Sequence, residues 1–189
     1  MIRTRRIPTT AAVMALLAEE VVEEWLRRSG FFTIRGVKLG NHEVDLLAVK
    51  YRPGMEPECR HLEVQASVRP VSYISKVPKA LQKSDQAAKS AKVRSPNELD
   101  AGVAEWVNTK FDRPEKLALM KNLWPGCWTK ELVVHNVKSD LEVALIRKHG
   151  VTTIQLSDIV QDLRKPGVPV PSASGGDFIE LIHLGRNGA

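Results

Sequence analysis

The sequence predicts an α/β fold in one compact domain, and three observations carry that reading. A helical pattern opens the chain, three β-rich runs follow it, and a strand, helix, strand succession returns between residues 128 and 163. With 189 residues, 43% of them hydrophobic, the chain can bury one α/β core with elaborations, but not two full domains. The expected domain covers 1–163, the Pro- and Gly-rich stretch 164–176 reads as a linker, and 177–189 as a C-terminal helix or tail.

The first helix is expected over residues 10–29, capped by Thr9 or Thr10 and stopped by Gly30. Ala12, Ala15, Leu16, Val22 and Leu26 form its apolar stripe, with Trp25 beside it. Glu19 falls inside that stripe and is aimed at the core, whereas Glu20, Glu23 and Glu24 are expected in solvent, Glu23 with Arg27 as a surface pair. Strands follow over 31–37, 43–50 and 59–67, separated by Gly40-Asn41 and by a turn holding Pro53, Gly54 and Pro57. Three consecutive strands make an antiparallel meander.

Residues 76–92 read as a basic, weakly apolar helix. The capping box Ser95-Pro96-Asn97-Glu98 starts another helix to Lys110, and Asp112-Arg113-Pro114-Glu115 a further one to Trp124. Together they form a helical insertion over about 76–124. A strand over 128–137, a helix opened by the box Ser139 to Glu142, a strand over 151–156 and a last helix capped by Ser157 complete the domain. That succession is the usual route to parallel pairing.

Carboxylates inside apolar strands are the anomaly. Strand alternation puts Glu43, Asp45 and Leu47 on one face of the second strand, with Val44, Leu46 and Ala48 on the other; His61, Glu63 and Gln65 share a face of the third. If the two strands pair, Asp45 and Glu63 meet in one cleft, where a divalent cation would offset the cost of burying both. An isolated Glu-x-Asp or Glu-x-Gln is ordinarily an exposed strand face, and a lone His61 ordinarily a hydrogen-bonded structural residue. The joint placement behind the Glu19 helix is what sets these apart.

A helix with a core-facing Glu19, Gly30-Phe31 after it, the strand Glu43-Val44-Asp45-Leu46-Leu47-Ala48 and the strand Glu63-Val64-Gln65 closely resemble the PD-(D/E)XK nuclease superfamily, in its Holliday junction resolvase and Mrr-like branch. The resemblance covers roughly residues 10–67. It implies a restriction endonuclease-like three-layer core, αβββαβ, with a central mixed sheet flanked by helices. It further implies an endodeoxyribonuclease using Mg²⁺ or Mn²⁺, with Asp45, Glu63 and the Val64 carbonyl as metal ligands, Glu19 as an additional carboxylate that holds a second metal ion or orients the water, and Gln65 at the lysine position.

Gln65 is the departure, because a neutral amide positions water but supplies no charge. It leaves two readings open, a working nuclease and a DNA-binding or assembly module on the same fold; Lys50, Lys76 and Arg69 are candidates to supply the missing charge. Lys76, Lys79, Lys83 and Arg69 are the expected DNA contacts, in keeping with a net charge of +6. Only Cys59 and Cys127 occur, which argues against a disulfide framework or structural zinc and fits the cytoplasm. The basic start, followed by a short apolar run into Glu19 and Glu20, reads as a helix and neither a signal peptide nor a membrane span. DNA is thus the expected partner, a homodimer is allowed, and no membrane is expected.

Overall fold

The computed structural model describes residues 10–67, 70–82 and 93–165. Its elements run α1 (Thr10–Arg28), β1 (Phe32–Leu39), β2 (His42–Lys50), β3 (Glu58–Gln65), α2 (Pro96–Lys110), α3 (Pro114–Leu123), β4 (Trp128–Val134), α4 (Asp140–Lys148), β5 (Thr152–Gln155) and α5 (Leu156–Leu163). The five strands form one sheet in chain order. β1, β2 and β3 pair antiparallel, as a meander with short connections must, whereas β3, β4 and β5 pair parallel across helical crossovers.

Helices cover both faces, so the chain is a three-layer α/β structure with a mixed sheet. On one face Val22 and Leu26 of α1 and Ile159 and Leu163 of α5 pack on Leu46, Ala48, Leu62 and Val133. On the other, Val103 and Val107 of α2, Phe111 directly after it and Ile146 of α4 pack on Leu132 and Val134. Met120 of α3 adds a cluster with Val44 and Leu47. Among the described residues no helix is long and apolar enough to cross a membrane.

Several local expectations change in the folded chain. The buried stripe of α1 is Ala18, Val21, Val22 and Leu26, while Leu16 is 54% exposed, so Glu19 borders the stripe instead of lying at its centre. Glu24, expected in solvent, is buried and accepts from Arg28 Nε at 2.8 Å. Glu23 meets Thr33 Oγ1 at 2.9 Å and Arg35 at 3.4 Å, closer than Arg27 at 3.9 Å, because β1 folds back beside the helix. Ser157 does not cap α5, whose N-cap is Gln155, since β5 runs into that helix without a connecting turn. Of the expected 76–92 helix the described part holds a 3-10 turn, Lys79–Leu81; residues 83–92, like the linker and tail from 166 on, lie outside the described residues.

The box at Ser95 closes in both directions, but the one at Ser139 is only half made. Glu142 turns away from its own N-cap and accepts from Ile74 N at 2.7 Å, Ser75 N at 2.8 Å and Ser75 Oγ at 2.5 Å. Fully buried, it ties the 71–77 segment to α4. Gly102, in the middle of α2, has a related reason. A Cβ there would sit 2.7 Å from the Lys76 carbonyl oxygen, a backbone atom that cannot move aside cheaply. Gly102→Ala is therefore expected to lower stability by about 2 kcal/mol, although alanine is the better helix former. A urea midpoint unchanged or raised would contradict this.

Candidate functional site

The site begins with a break in β2. The β1–β2 register pairs Arg35 with Leu46 and Val37 with Val44, but skips Gly36 and Asp45. Gly36 has φ +69°, a conformation open to glycine, so the strand pair is kinked there. Side-chain alternation fails at the same point. Val44 packs with Leu47 and Met120, not with Leu46 and Ala48, which corrects the expected division of faces.

Between β2 and β3 the last pair is Leu46↔Leu62. One residue further on each strand stand Asp45 and Glu63, the two carboxylates singled out by the sequence. Here the Val64 amide donates to Asp45 Oδ2 at 2.8 Å, a side-chain acceptor taking over at the point where ladder pairing stops. The strands part around these two residues.

Glu63 is 1% exposed and fully engaged. Its Oε2 accepts from Lys110 Nζ at 2.5 Å and its Oε1 from Lys116 Nζ at 3.0 Å, with His61 Nε2 at 3.3 Å from the same oxygen. Lys116 is equally buried; its ammonium also donates to the Glu43 and Lys110 carbonyls, each at 2.7 Å, which uses all three of its protons. Lys110, at the end of α2, is 36% exposed through its side chain.

The two carboxylates titrate in opposite senses. Burial raises the Glu63 pKa, but the His61 hydrogen bond and the Lys110 and Lys116 charges outweigh it and hold the group at about 2. Asp45 is pushed up to about 7, first by burial and then by the Glu63 charge, with Lys110 and the Val64 amide opposing. Burial also raises Glu19, with Glu43 and Glu63 adding and Arg35 and Lys110 opposing; it therefore senses the same charges. For Lys110 burial works against the charge, yet Glu63 and Asp45 raise its pKa and keep it protonated. The cleft holds ionised Glu63, a permanently charged Lys110 and an Asp45 poised near neutrality.

The structure thus brings Asp45, Glu63 and Val64 together, with Glu19 within electrostatic reach. Among the described residues no group of three or more His, Cys, Asp and Glu side chains is arranged to hold a metal ion. Gln65 is half-buried at the end of β3, where its carbonyl accepts from His135 N at 3.2 Å. Glu43 is exposed. The Lys50 ammonium is engaged elsewhere, donating to the Ser29 carbonyl at 2.6 Å and lying over the Phe31 ring. Lys76 is exposed, Lys79 belongs to the 3-10 turn, and Arg69 and Lys83 lie outside the described residues.

Lys110 and Lys116 escaped the sequence reading, although a signal existed. Lys110 continues the buried stripe Leu99, Val103, Val107 of α2, and Lys116 precedes the buried Met120 by four residues. A lysine within an apolar stripe carries the same message as Glu19 does in α1.

No family model matches the chain, and no curated protein matches it significantly. Among solved structures, the crystal structure of a protein of unknown function aligns at TM-score 0.39 and 14% identity, over 92% of this chain and 67% of that one.

Proposed function

We propose that this chain is a metal-dependent endodeoxyribonuclease that hydrolyses DNA phosphodiester bonds on a restriction endonuclease-like core. The observation that carries the reading is the position of Asp45 and Glu63 one step past the last β2–β3 pair, with the Lys110 ammonium on Glu63. The order α1, antiparallel β1 to β3, then parallel β4, α4 and β5 agrees with the αβββαβ core of the PD-(D/E)XK resemblance.

The donor set fits Mg²⁺ or Mn²⁺. Such ions keep several waters and need only one or two carboxylates, and Asp45 remains raised to about 7 even with Lys110 nearby, so the pair is still short of positive charge. Asp45 and Glu63 Oε2 would hold the ion, since Glu63 Oε1 is held in the interior by Lys116, and the partly exposed Lys110 ammonium now on Oε2 would move to the phosphate. When bound, the metal supplies charge neutralisation at the phosphodiester and a water of lowered pKa. Lys110 takes the electrostatic part that Gln65 cannot. Because its pKa is raised it works as a fixed positive charge beside the scissile phosphate and not as a proton acceptor.

Incubating the protein with supercoiled, linear and four-way-junction DNA, with Mg²⁺ or Mn²⁺ and beside Asp45→Ala, tests the assignment. Cleavage by the parent that the variant lacks supports it; equal residual cleavage by both would refute it. Lys110→Met is expected to slow cleavage by about a hundredfold with the fold retained, and Lys110→Arg to restore part of the rate. Initial rates that ignore both changes would remove Lys110 from the site. The second reading, a DNA-binding module without catalysis, draws on Gln65 and on the missing third ligand among the described residues. DNA retention without metal-dependent cutting would select it.

A further inference from the structure

Cys59 and Cys127 take no part in the proposed cleavage chemistry, yet the fold brings these two cysteines together. Cys59 is the second residue of β3, and it pairs with Trp128, the first residue of β4. Its Sγ lies 3.9 Å from where a Cβ on Gly126 would stand. Cys127 is the residue between those two contacts. Neighbouring strands lie about 4.8 Å apart and rise about 3.3 Å per residue, so a diagonal neighbour falls about 6 Å away, inside the roughly 4.4–6.8 Å between the Cα atoms of a disulfide.

Hydrogen bonds hold both sides of this contact. Thr129 Oγ1 donates to the Cys59 carbonyl at 3.3 Å, and Trp128 Nε1 donates to the Trp124 carbonyl at 3.1 Å, fixing the turn that carries Cys127. The two thiols differ in access, Cys59 being 2% exposed and Cys127 open to solvent. Burial raises the Cys59 pKa and the Cys127 charge adds to it, so the two sulfurs lie within electrostatic reach. An exposed thiol beside a second, protected one is the arrangement of an oxidisable cysteine with its resolving partner.

We propose that Cys127 is a site of peroxide oxidation and that Cys59 resolves it, forming a reversible disulfide between the start of β3 and the turn before β4. The Cys127 thiolate attacks hydrogen peroxide and the O–O bond breaks; one oxygen stays on sulfur as the sulfenic acid and the other leaves as water. The Cys59 sulfur then attacks the Cys127 sulfur, the S–S bond forms, the S–O bond breaks, and the hydroxyl leaves as water with the Cys59 proton. Two thiols lose two electrons and two protons, and one peroxide becomes two waters. The oxidant has to reach Cys127 alone, so the burial of Cys59 does not block the reaction. The bond closes the stretch from 59 to 127, which contains α2 and α3. Oxidation therefore clasps the insertion that carries Lys110 and Lys116 to Glu63.

Hydrogen peroxide added to the folded, reduced full chain is expected to remove two hydrogens from its intact mass, and peptide mapping should find Cys59 joined to Cys127 within one chain. Dithiothreitol should reverse the change. Cys59→Ala should leave a Cys127 that dimedone labels after peroxide, and Cys127→Ser should leave Cys59 reduced under the same treatment. The oxidised parent should unfold at a urea concentration higher by about 1 M than the reduced one. Two free thiols after treatment, oxidation of Cys127 that ends at the sulfinic acid, joining between chains, an internal bond that forms only in urea, or a lowered midpoint would each overturn the proposal. None of these measurements contains DNA or metal, so they stand or fall independently of the nuclease reading.

Discussion

Replacing Asp45 with asparagine is expected to reduce metal-dependent DNA cleavage about a thousandfold or more, and to make the protein more stable at pH 8. Both effects come from one charge. Asp45 ionises near pH 7 in the folded chain, against an ordinary value of 3.8. A group raised in this way contributes stability below its unfolded pKa, and that contribution is lost as pH rises through the folded value. The shift corresponds to on the order of 4 kcal/mol, a cost carried by the ionised form. Asparagine keeps the acceptor for the Val64 amide and removes the charge. Urea denaturation should therefore show Asp45→Asn ahead by about 2 to 4 kcal/mol at pH 8, with the two proteins converging below pH 4. A difference independent of pH would show that Asp45 is not the strained group.

Glu63 runs the other way. Its folded pKa of about 2 lies below the ordinary 4.5, so its contribution is present above pH 4.5 and disappears as pH falls toward 2. Between them the two carboxylates place the stability optimum of the cleft in mildly acid solution, while ionisation of Asp45 for cation binding is complete only above pH 7. Stability and the proposed activity are pulled apart by the same pair.

Lys116→Met should be the most destabilising change near the cleft, by about 3 to 5 kcal/mol. The ammonium and Glu63 are each 1% exposed, and its removal also strips the donor from the Glu43 and Lys110 carbonyls. Methionine fills the volume of the stem but none of these bonds. Lys110→Met, by contrast, removes an ammonium whose side chain is 36% exposed and leaves the Lys116 bond to Glu63 in place, so it should cost less, about 1 to 2 kcal/mol. Comparable urea midpoints for the two variants would contradict the division of labour inferred here, with Lys116 positioning Glu63 and Lys110 facing the substrate.

How far each feature could be read depends on whether its cause is local. The order of elements could be: helix periodicity ends at Gly30, capping at Ser95 lies within four residues of its partner, and turn chemistry at Gly40-Asn41 joins adjacent strands. Asp45 and Glu63 were legible because a carboxylate in an apolar strand is an anomaly visible within one element. Face assignment followed strand alternation correctly at Leu46 and Leu62 and failed at Val44, because the kink at Gly36 belongs to the neighbouring strand.

By itself, then, the sequence determined an α/β chain with a three-strand meander, a parallel return and two carboxylates in adjoining strands. Only the tertiary structure decided what surrounds them. Lys110 and Lys116 reach Glu63 across 47 and 53 residues, and Glu142 reaches Ser75 across 67. No periodicity within one segment can encode such pairs, since a buried charge is stabilised by whichever opposite charge packing brings to it. On the proposed reading, the charge that Gln65 lacks would come in this way, from a helix that the strand motif does not mention.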